Sequence, residues 1–203
     1  YEFSCSLVGS EMCIRDRVYL TEDELERYRE LSEKIESGMV FDKNGKPKLT
    51  EYVKSLMISR ARVVAGAQNK IPLLLEYMEK YKEDKHILVY CGSTKTEDTE
   101  LQEECRQIDL ITKCLAKKLH MKVARFTSGE NRKERQVLIE KFTEGEEIQS
   151  LVAIKCLDEG VNIPAIKTAF ILVSTTNPKE YIQRRGRVPV SYTHLTLPTK
   201  LEV

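Results

Sequence analysis

The sequence predicts an α/β domain with a parallel sheet, preceded by a helical segment. From Lys85 onward, short apolar runs alternate with amphipathic helical patterns, which is typical of βαβ units. Before Lys85, apolar residues recur mainly at helical spacing. A chain of 203 residues suits one such domain with an additional segment.

The composition indicates a globular protein with a strongly solvated surface, because 41% of residues are hydrophobic and 32% are charged. The formal net charge is only +1. Nucleic-acid-binding domains are often strongly basic. Any phosphate-binding surface in this chain must therefore come from local clustering of cations.

The helical segment is predicted to hold three helices. Thr21 and Glu24 form a capping box, and the helix that it opens runs to about Gly38. The Asn-Gly pair in 42–47 is turn chemistry, since it tolerates the positive φ of a tight reversal. Helical spacing returns over 49–81, where Pro72 is placed to begin a second helix.

The α/β part is predicted to hold four buried strands, at 87–91, 123–126, 151–154 and 169–173. A polar, acidic loop is expected from Gly92 to about Gln102, before a helix over 108–119. Another helix is expected over 132–142, with Ser128 as its cap, and a last one over 179–185.

Two unusual strings follow the third and fourth strands, where ligands of parallel α/β sheets bind. These strings are KCLDEGVNIP at 155–164 and QRRGR at 183–187. They resemble motifs V and VI of superfamily 2 helicases, in the correct order. Residues 86–91 resemble motif IV, and Thr127-Ser128-Gly129 resembles the phosphate-contacting turn between them. The sequences of these motifs are most similar to those of DEAD/DEAH-like helicases related to type III restriction motor subunits.

The resemblance implies a RecA-like parallel sheet flanked by helices, the second lobe of an ATP-driven motor. A planar, permanently charged guanidinium suits the γ-phosphate, so Arg187 is the first candidate for an arginine finger and Arg184 the second. The resemblance implies that nucleotide contacts come from Gln183, Asp158, Glu159, Gly160 and Gly186. It implies that nucleic-acid backbone contacts come from Gly92, Thr127, Ser128, Lys155 and Cys156.

The phosphate-cradling loop and the acidic magnesium site of such a motor lie on a first lobe, and the sequence contains neither. We therefore expect ATP with Mg²⁺ to be held mainly by that absent N-terminal lobe, and the chain alone to be inactive. Nucleic acid, specifically DNA, is the expected partner. The family's motif VI also carries a further Arg at the place of Val190.

Both ends look foreign to the fold. Residues 1–17 and 189–203 include SLVGSEMCIRDR and VSYTHLTLPT, which resemble translated sequencing-adapter read-through. We therefore divide the chain into non-native tails at 1–17 and 189–203, a helical linker segment at 18–82 and the lobe at 83–188. The six cysteines have no metal-site spacing, so no metal is expected. The sequence also predicts no membrane contact and a cytoplasmic location.

Each motif has a simpler interpretation. The arginines of 184–187 could form a solvated helix end, and Thr127 with Ser128 could be a plain helix cap. Two other functions therefore stay open. One is a nonmotor nucleic-acid-binding module, and the other is a protein-interaction domain that uses the charged helices from Thr21 to Lys80.

Overall fold

The computed structural model describes residues 13–15, 17–41, 43, 45–92, 95–98, 103–127, 129–154, 163, 165–172, 194–196 and 199–200. Within these ranges, no helix is both long and apolar enough to cross a membrane. The strands in chain order are β1 (Cys13–Arg15), β2 (Val18–Tyr19), β3 (Val40–Phe41), β4 (Pro47–Lys48), β5 (Ile87–Cys91), β6 (Lys95–Asp98), β7 (Glu103–Arg106), β8 (Val123–Phe126), β9 (Ser150–Ile154), β10 (Thr168–Ile171), β11 (His194–Thr196) and β12 (Thr199–Lys200).

Five α-helices are described: α1 (Glu22–Ser37), α2 (Glu51–Ala65), α3 (Lys70–Met78), α4 (Gln107–Lys118) and α5 (Arg132–Glu144). A 3-10 turn over Glu79–Tyr81 continues α3. The predicted helices of the helical segment are confirmed, with Pro72 in the first turn of α3. The predicted last helix, over 179–185, lies outside the described residues.

The main sheet has the order β1-β11-β10-β5-β9-β8, and all of its neighbouring strands are parallel. The four predicted strands are β5, β8, β9 and β10, so the predicted α/β fold with a parallel sheet is confirmed. Their central register pairs Val89 of β5 with Phe170 on one side and Val152 on the other. The three strands β5, β9 and β10 are buried along almost their whole length, as expected for a parallel sheet that is covered on both faces.

Side chains of β5 alternate between two cores. Ile87, Val89 and Cys91 pack with α3 and α4, whereas Leu88 and Tyr90 pack on the opposite side. The second side is closed by apolar residues of α5, including the fully buried Phe142. This period of two explains why every residue of β5 is buried.

The helical segment is held by its caps and by the packing of α1 on α2. Thr21 and Glu24 form the predicted capping box, with both reciprocal hydrogen bonds present. The Arg60 guanidinium of α2 lies 5.3 Å from the ring centroid of Tyr28 and donates to the Ser32 hydroxyl at 3.1 Å. The predicted reversal is a short hairpin of β3 and β4, and Gly45 has φ +71° there.

Two local predictions were wrong. The polar loop expected after β5 contains the antiparallel hairpin of β6 and β7. Ser128 is not the cap of α5, because a cap must directly precede the first helical residue. That position belongs to Asn131, whose side chain accepts from the Glu134 backbone in a second capping box. Ser128 itself lies outside the described residues.

The predicted tails contribute short strands to the sheet. Cys13–Arg15 pairs with His194–Thr196, and the latter pairs with β10. Each of these strands has three residues and lies toward one edge of the sheet. The foreign origin of 1–17 and 189–203 stays a prediction.

Candidate nucleotide and nucleic-acid site

The carboxyl ends of three neighbouring strands lie side by side. In the sheet, β9 lies between β5 and β8, with Cys91 opposite Ile154 and Phe126 opposite Ala153. Since adjacent strands are about 4.8 Å apart, the segments that follow them start within roughly 10 Å of one another. The loop at Gly92, the turn at Thr127 and the motif V string therefore start from one edge.

Most predicted site residues are not among those that the structure describes. These are the nucleotide contacts Gln183, Asp158, Glu159, Gly160 and Gly186, the arginines Arg184 and Arg187, and the nucleic-acid contacts Ser128, Lys155 and Cys156. What the structure does place is the described strand end before each motif. Their roles stay predictions.

Gly92 is predicted to face nucleic acid, and its backbone N–H points inward. It donates to the side-chain oxygen Oε1 of Gln107 at 3.1 Å. This donor is therefore engaged within the protein. Any contact with a phosphate would come from the rest of the loop that Gly92 begins.

Thr127 is held by a carboxylate. Its backbone N–H donates to Glu130 Oε2 at 2.6 Å, and its hydroxyl lies 3.0 Å from both carboxylate oxygens. The same hydroxyl accepts from the Gly129 N–H at 3.1 Å. Glu130 thus occupies the side of the turn where a phosphate would find the donors of Thr127.

Two buried polar side chains near this edge were not predicted from the sequence. Gln107 and Lys70 are both fully buried. Gln107 had a detectable signal, because it lies one helical turn before Ile111 on the apolar face of the predicted helix. Lys70 had none, since a lysine at the start of a helix is ordinarily solvated.

Lys70 closes the carboxyl end of α2. Its ammonium nitrogen Nζ donates to the carbonyls of Val64 and Ala65 at 2.9 and 3.0 Å. Burial lowers the pKa of Lys70 to about 7, against the opposing effect of the Glu24 carboxylate. The side chain satisfies two of the carbonyls that every helix leaves without an internal partner at its end.

A polar cavity of about 320 Å³ lies at the opposite edge of the sheet, between Lys82, Lys122 and Gly145. Its cations are already engaged. Lys85 pairs with Glu146 at 2.6 Å, and Lys122 donates to the Glu146 carbonyl at 2.6 Å. The hydrogen bond from Lys85 also lowers the pKa of the Glu146 carboxyl. We therefore place the candidate site at the carboxyl edge.

The sheet order, the flanking helices and the position of the motifs define a RecA-like α/β lobe. Solved structures with this fold include the Sulfolobus solfataricus SWI2/SNF2 ATPase C-terminal domain, with a TM-score of 0.63 and 16% identity over 94% of this chain and 80% of that one. The C-terminal part of the Fun30 ATPase domain has a TM-score of 0.59 and 14% identity, over 94% and 85% of the two chains.

Residues 69–189 match the helicase conserved C-terminal domain, and the chain belongs to this family. A curated relative is the DNA 3'-5' translocase XPB2 of Sulfurisphaera tokodaii, which is 27% identical over 147 residues. The match takes in 72% of this chain and 28% of the relative. The chain thus spans little more than a quarter of the length of that translocase.

Proposed function

We propose that the chain is the second lobe of an ATP-driven DNA translocase or helicase, and that it supplies motif V and the arginine finger of motif VI. The observation that carries the proposal is the sheet order. Because β9 lies between β5 and β8, the motif V string starts between the Gly92 loop and the Thr127 turn. The family membership and the DNA translocase relative support the same assignment.

The nucleotide half of the proposed site is inferred from the chemistry of its residues. Gln183 with the guanidinium groups of Arg184 and Arg187 suits a phosphate-rich ligand, and Gly160 and Gly186 allow close backbone approach. Asp158 or Glu159 would accept from the sugar or orient the finger. This donor set fits ATP, which supplies the γ-phosphoryl group when it is bound with Mg²⁺.

Arg187 would stabilise the charge that develops on the γ-phosphate when the lobes close. Arg184 would be its neighbour at the same phosphate. The magnesium ion and most nucleotide contacts would lie on a first lobe, so this chain alone would not hydrolyse ATP. Closing and reopening of the two lobes would then step the nucleic-acid surface along its strand.

The nucleic-acid half of the proposed site is the row of segments along the carboxyl edge. Thr127, Ser128, Lys155 and Cys156 would contact backbone phosphates, together with the loop that begins at Gly92. Such contacts position a strand without reading its sequence. They would give binding that weakens steeply as salt rises.

The experiment that tests the proposal supplies a first lobe. A RecA-like first lobe that carries a phosphate-cradling loop and an acidic magnesium site is joined ahead of residue 18, and ATP hydrolysis is measured with and without single-stranded DNA. We expect DNA-stimulated hydrolysis from the fusion only, and none from either part alone. Equal hydrolysis by the first lobe without this chain would overturn the proposal.

A second candidate function, a protein-interaction domain, is favoured by exposed apolar side chains on the helical segment. Phe41 is 62% exposed, and Ile58 on α2 is 54% exposed. Binding of a labelled oligonucleotide by the chain alone separates the two candidates. Affinity that falls with salt supports a nucleic-acid role, whereas no binding at low salt favours the interaction domain.

A further inference from the structure

A buried amide connects the helical segment to the proposed nucleic-acid edge. Gln107 is the first residue of α4 and is fully buried. Its Oε1 accepts from the Gly92 N–H at 3.1 Å, and its Nε2 donates to the Ala65 carbonyl at 3.4 Å. One side chain thus joins the last residue of α2 to the first residue after β5.

The Ala65 carbonyl is fixed from a second direction. It also accepts from Lys70 Nζ, which binds the neighbouring Val64 carbonyl as well. The last carbonyls of a helix accept no hydrogen bond from an N–H group of the same helix. The end of α2 is therefore free to accept both side chains, and Gln107 bonds to an acceptor that Lys70 holds in place.

The same connection continues into α1. Glu24, in the first turn of α1, accepts the Gln68 N–H through Oε1 at 3.0 Å. Its other oxygen accepts the Thr21 N–H in the capping box. Hydrogen bonds and short backbone links therefore run from the start of α1, through 68–70 and the end of α2, to Gly92.

The energetic cost of burying an amide indicates what Gln107 contributes. Its neighbours in the core, Ile108 and Ile111, are apolar. A leucine at 107 would fill the same face without needing partners, whereas a buried amide is tolerated only when its donor and acceptor are both paired. Compared with a leucine, Gln107 therefore contributes two directional hydrogen bonds, to Gly92 and to Ala65.

We propose that Gln107 is a positioning residue, which fixes the loop beginning at Gly92 relative to α2 and makes the helical segment and the nucleic-acid edge move as one body. The part of this proposal that concerns nucleic acid rests on the proposed function. The connection itself does not, because it is a property of the chain without ligand. The two parts are therefore tested separately.

The connection is tested by amide hydrogen exchange of the free chain, followed by NMR. Gln107→Leu should speed exchange at Gly92 at least about fivefold, as expected for one lost hydrogen bond. Exchange at Val89, in the strand β5 that precedes Gly92, should stay within about twofold. A merely structural role would speed both amides together. The control Gln136→Leu makes the same change at an exposed helical glutamine.

Unchanged exchange at Gly92 in a folded Gln107→Leu variant would overturn the proposal, and so would equal acceleration at Val89. If the leucine variant does not fold, Gln107→Met keeps the length of the side chain and removes the amide. In the wild type, a through-hydrogen-bond coupling between the Gly92 nitrogen and the Gln107 side-chain carbonyl tests the bond without any substitution. Its absence would also contradict the assignment.

The functional part is tested by oligonucleotide binding at fixed salt. Gln107→Leu should weaken binding of a labelled single strand about threefold, whereas Gln136→Leu should not change it. Wild-type-like affinity in the leucine variant would overturn the positioning role. If the wild type itself does not bind, the proposed function fails, and the exchange experiment still decides whether Gln107 fixes the loop.

Discussion

The polar groups of Thr127 and Gly92, which the structure describes at the carboxyl edge, are already paired within the protein. The Thr127 hydroxyl and N–H are both directed at Glu130, and the Gly92 N–H is directed at Gln107. A phosphate that reaches Thr127 must therefore displace a carboxylate of the same sign. At the scale of single residues, the Glu130 carboxylate therefore competes with a phosphate for the donors of Thr127.

The exchange of Glu130 for a neutral amide should strengthen nucleic-acid binding. Glu130→Gln removes one negative charge next to the proposed phosphate contact while it keeps an oxygen for Thr127. We expect about fivefold tighter binding of a single-stranded oligonucleotide at low salt, measured by fluorescence anisotropy. The matched control is Glu140→Gln, which makes the same change on α5, away from Thr127. Equal or weaker binding by Glu130→Gln would contradict this view of Thr127.

Lys70 should make folding stability depend on pH. Its pKa is about 7 in the folded chain and near 10.5 when solvated, so between these values the unfolded state holds the proton more firmly. Burial of Lys70 therefore carries no protonation penalty above pH 10.5. As the pH falls toward 7, this penalty grows and the free energy of unfolding decreases. Lys70→Met removes the effect.

Urea unfolding of the wild type and Lys70→Met between pH 7.5 and 9.5 checks this expectation. The free energy of unfolding of the wild type should rise relative to that of the variant by up to about 1.4 kcal/mol per pH unit. Lys54→Met, which alters an exposed lysine of α2, serves as control. Parallel pH profiles for the wild type and Lys70→Met would contradict a buried lysine with a lowered pKa.

At the scale of elements, the caps fix where helices begin. The Asn131 side chain accepts from the backbone N–H groups of Lys133 and Glu134 at 3.0 Å each. In return, the Glu134 carboxylate accepts from the Asn131 backbone N–H at 2.8 Å. This capping box starts α5 directly after the turn that holds Thr127. The position of the turn therefore depends on the start of the helix.

Loss of this cap should destabilise the chain measurably. Asn131→Ala is expected to lower the free energy of unfolding by about 1 kcal/mol, whereas Asn131→Asp should retain most of it. Urea unfolding at neutral pH measures both. If the alanine variant is as stable as the wild type, the cap does not contribute as its geometry implies.

The elements that the sequence predicts well are those with a strong periodic pattern. The continuous apolar run of β5 and the helical stripe of α4 both identify their elements, with ends within a residue or two. The hairpin of β6 and β7 was missed, because its residues are mostly polar and acidic and lack a regular apolar alternation.

The candidate site was predicted less completely than the fold. Motif spacing located the loops, since parallel strands end at one edge. The partners of those loops were not predicted, because hydrogen bonds from Gln107 to Gly92 and Ala65 join residues that only the tertiary structure brings together. Asn131 was also passed over in favour of Ser128, although its spacing to Glu134 is that of a capping box.

At the scale of the whole molecule, this lobe provides one side of a proposed two-lobed motor. The chain has the fold and the family membership of a helicase C-terminal lobe, and it spans only 28% of the translocase that it resembles. Hydrolysis in such a motor is a property of both lobes together. The central claim is therefore that this lobe brings an arginine to a nucleotide held by the other.

The most direct test of that claim is the DNA-stimulated ATPase rate of the two-lobed fusion carrying Arg187→Ala. We predict a loss of at least about 1000-fold in the stimulated rate, with DNA affinity within about threefold of the wild-type fusion. Arg29→Ala, at an exposed position of α1, should leave the rate unchanged. A fusion that hydrolyses ATP equally fast with and without Arg187 would contradict the account.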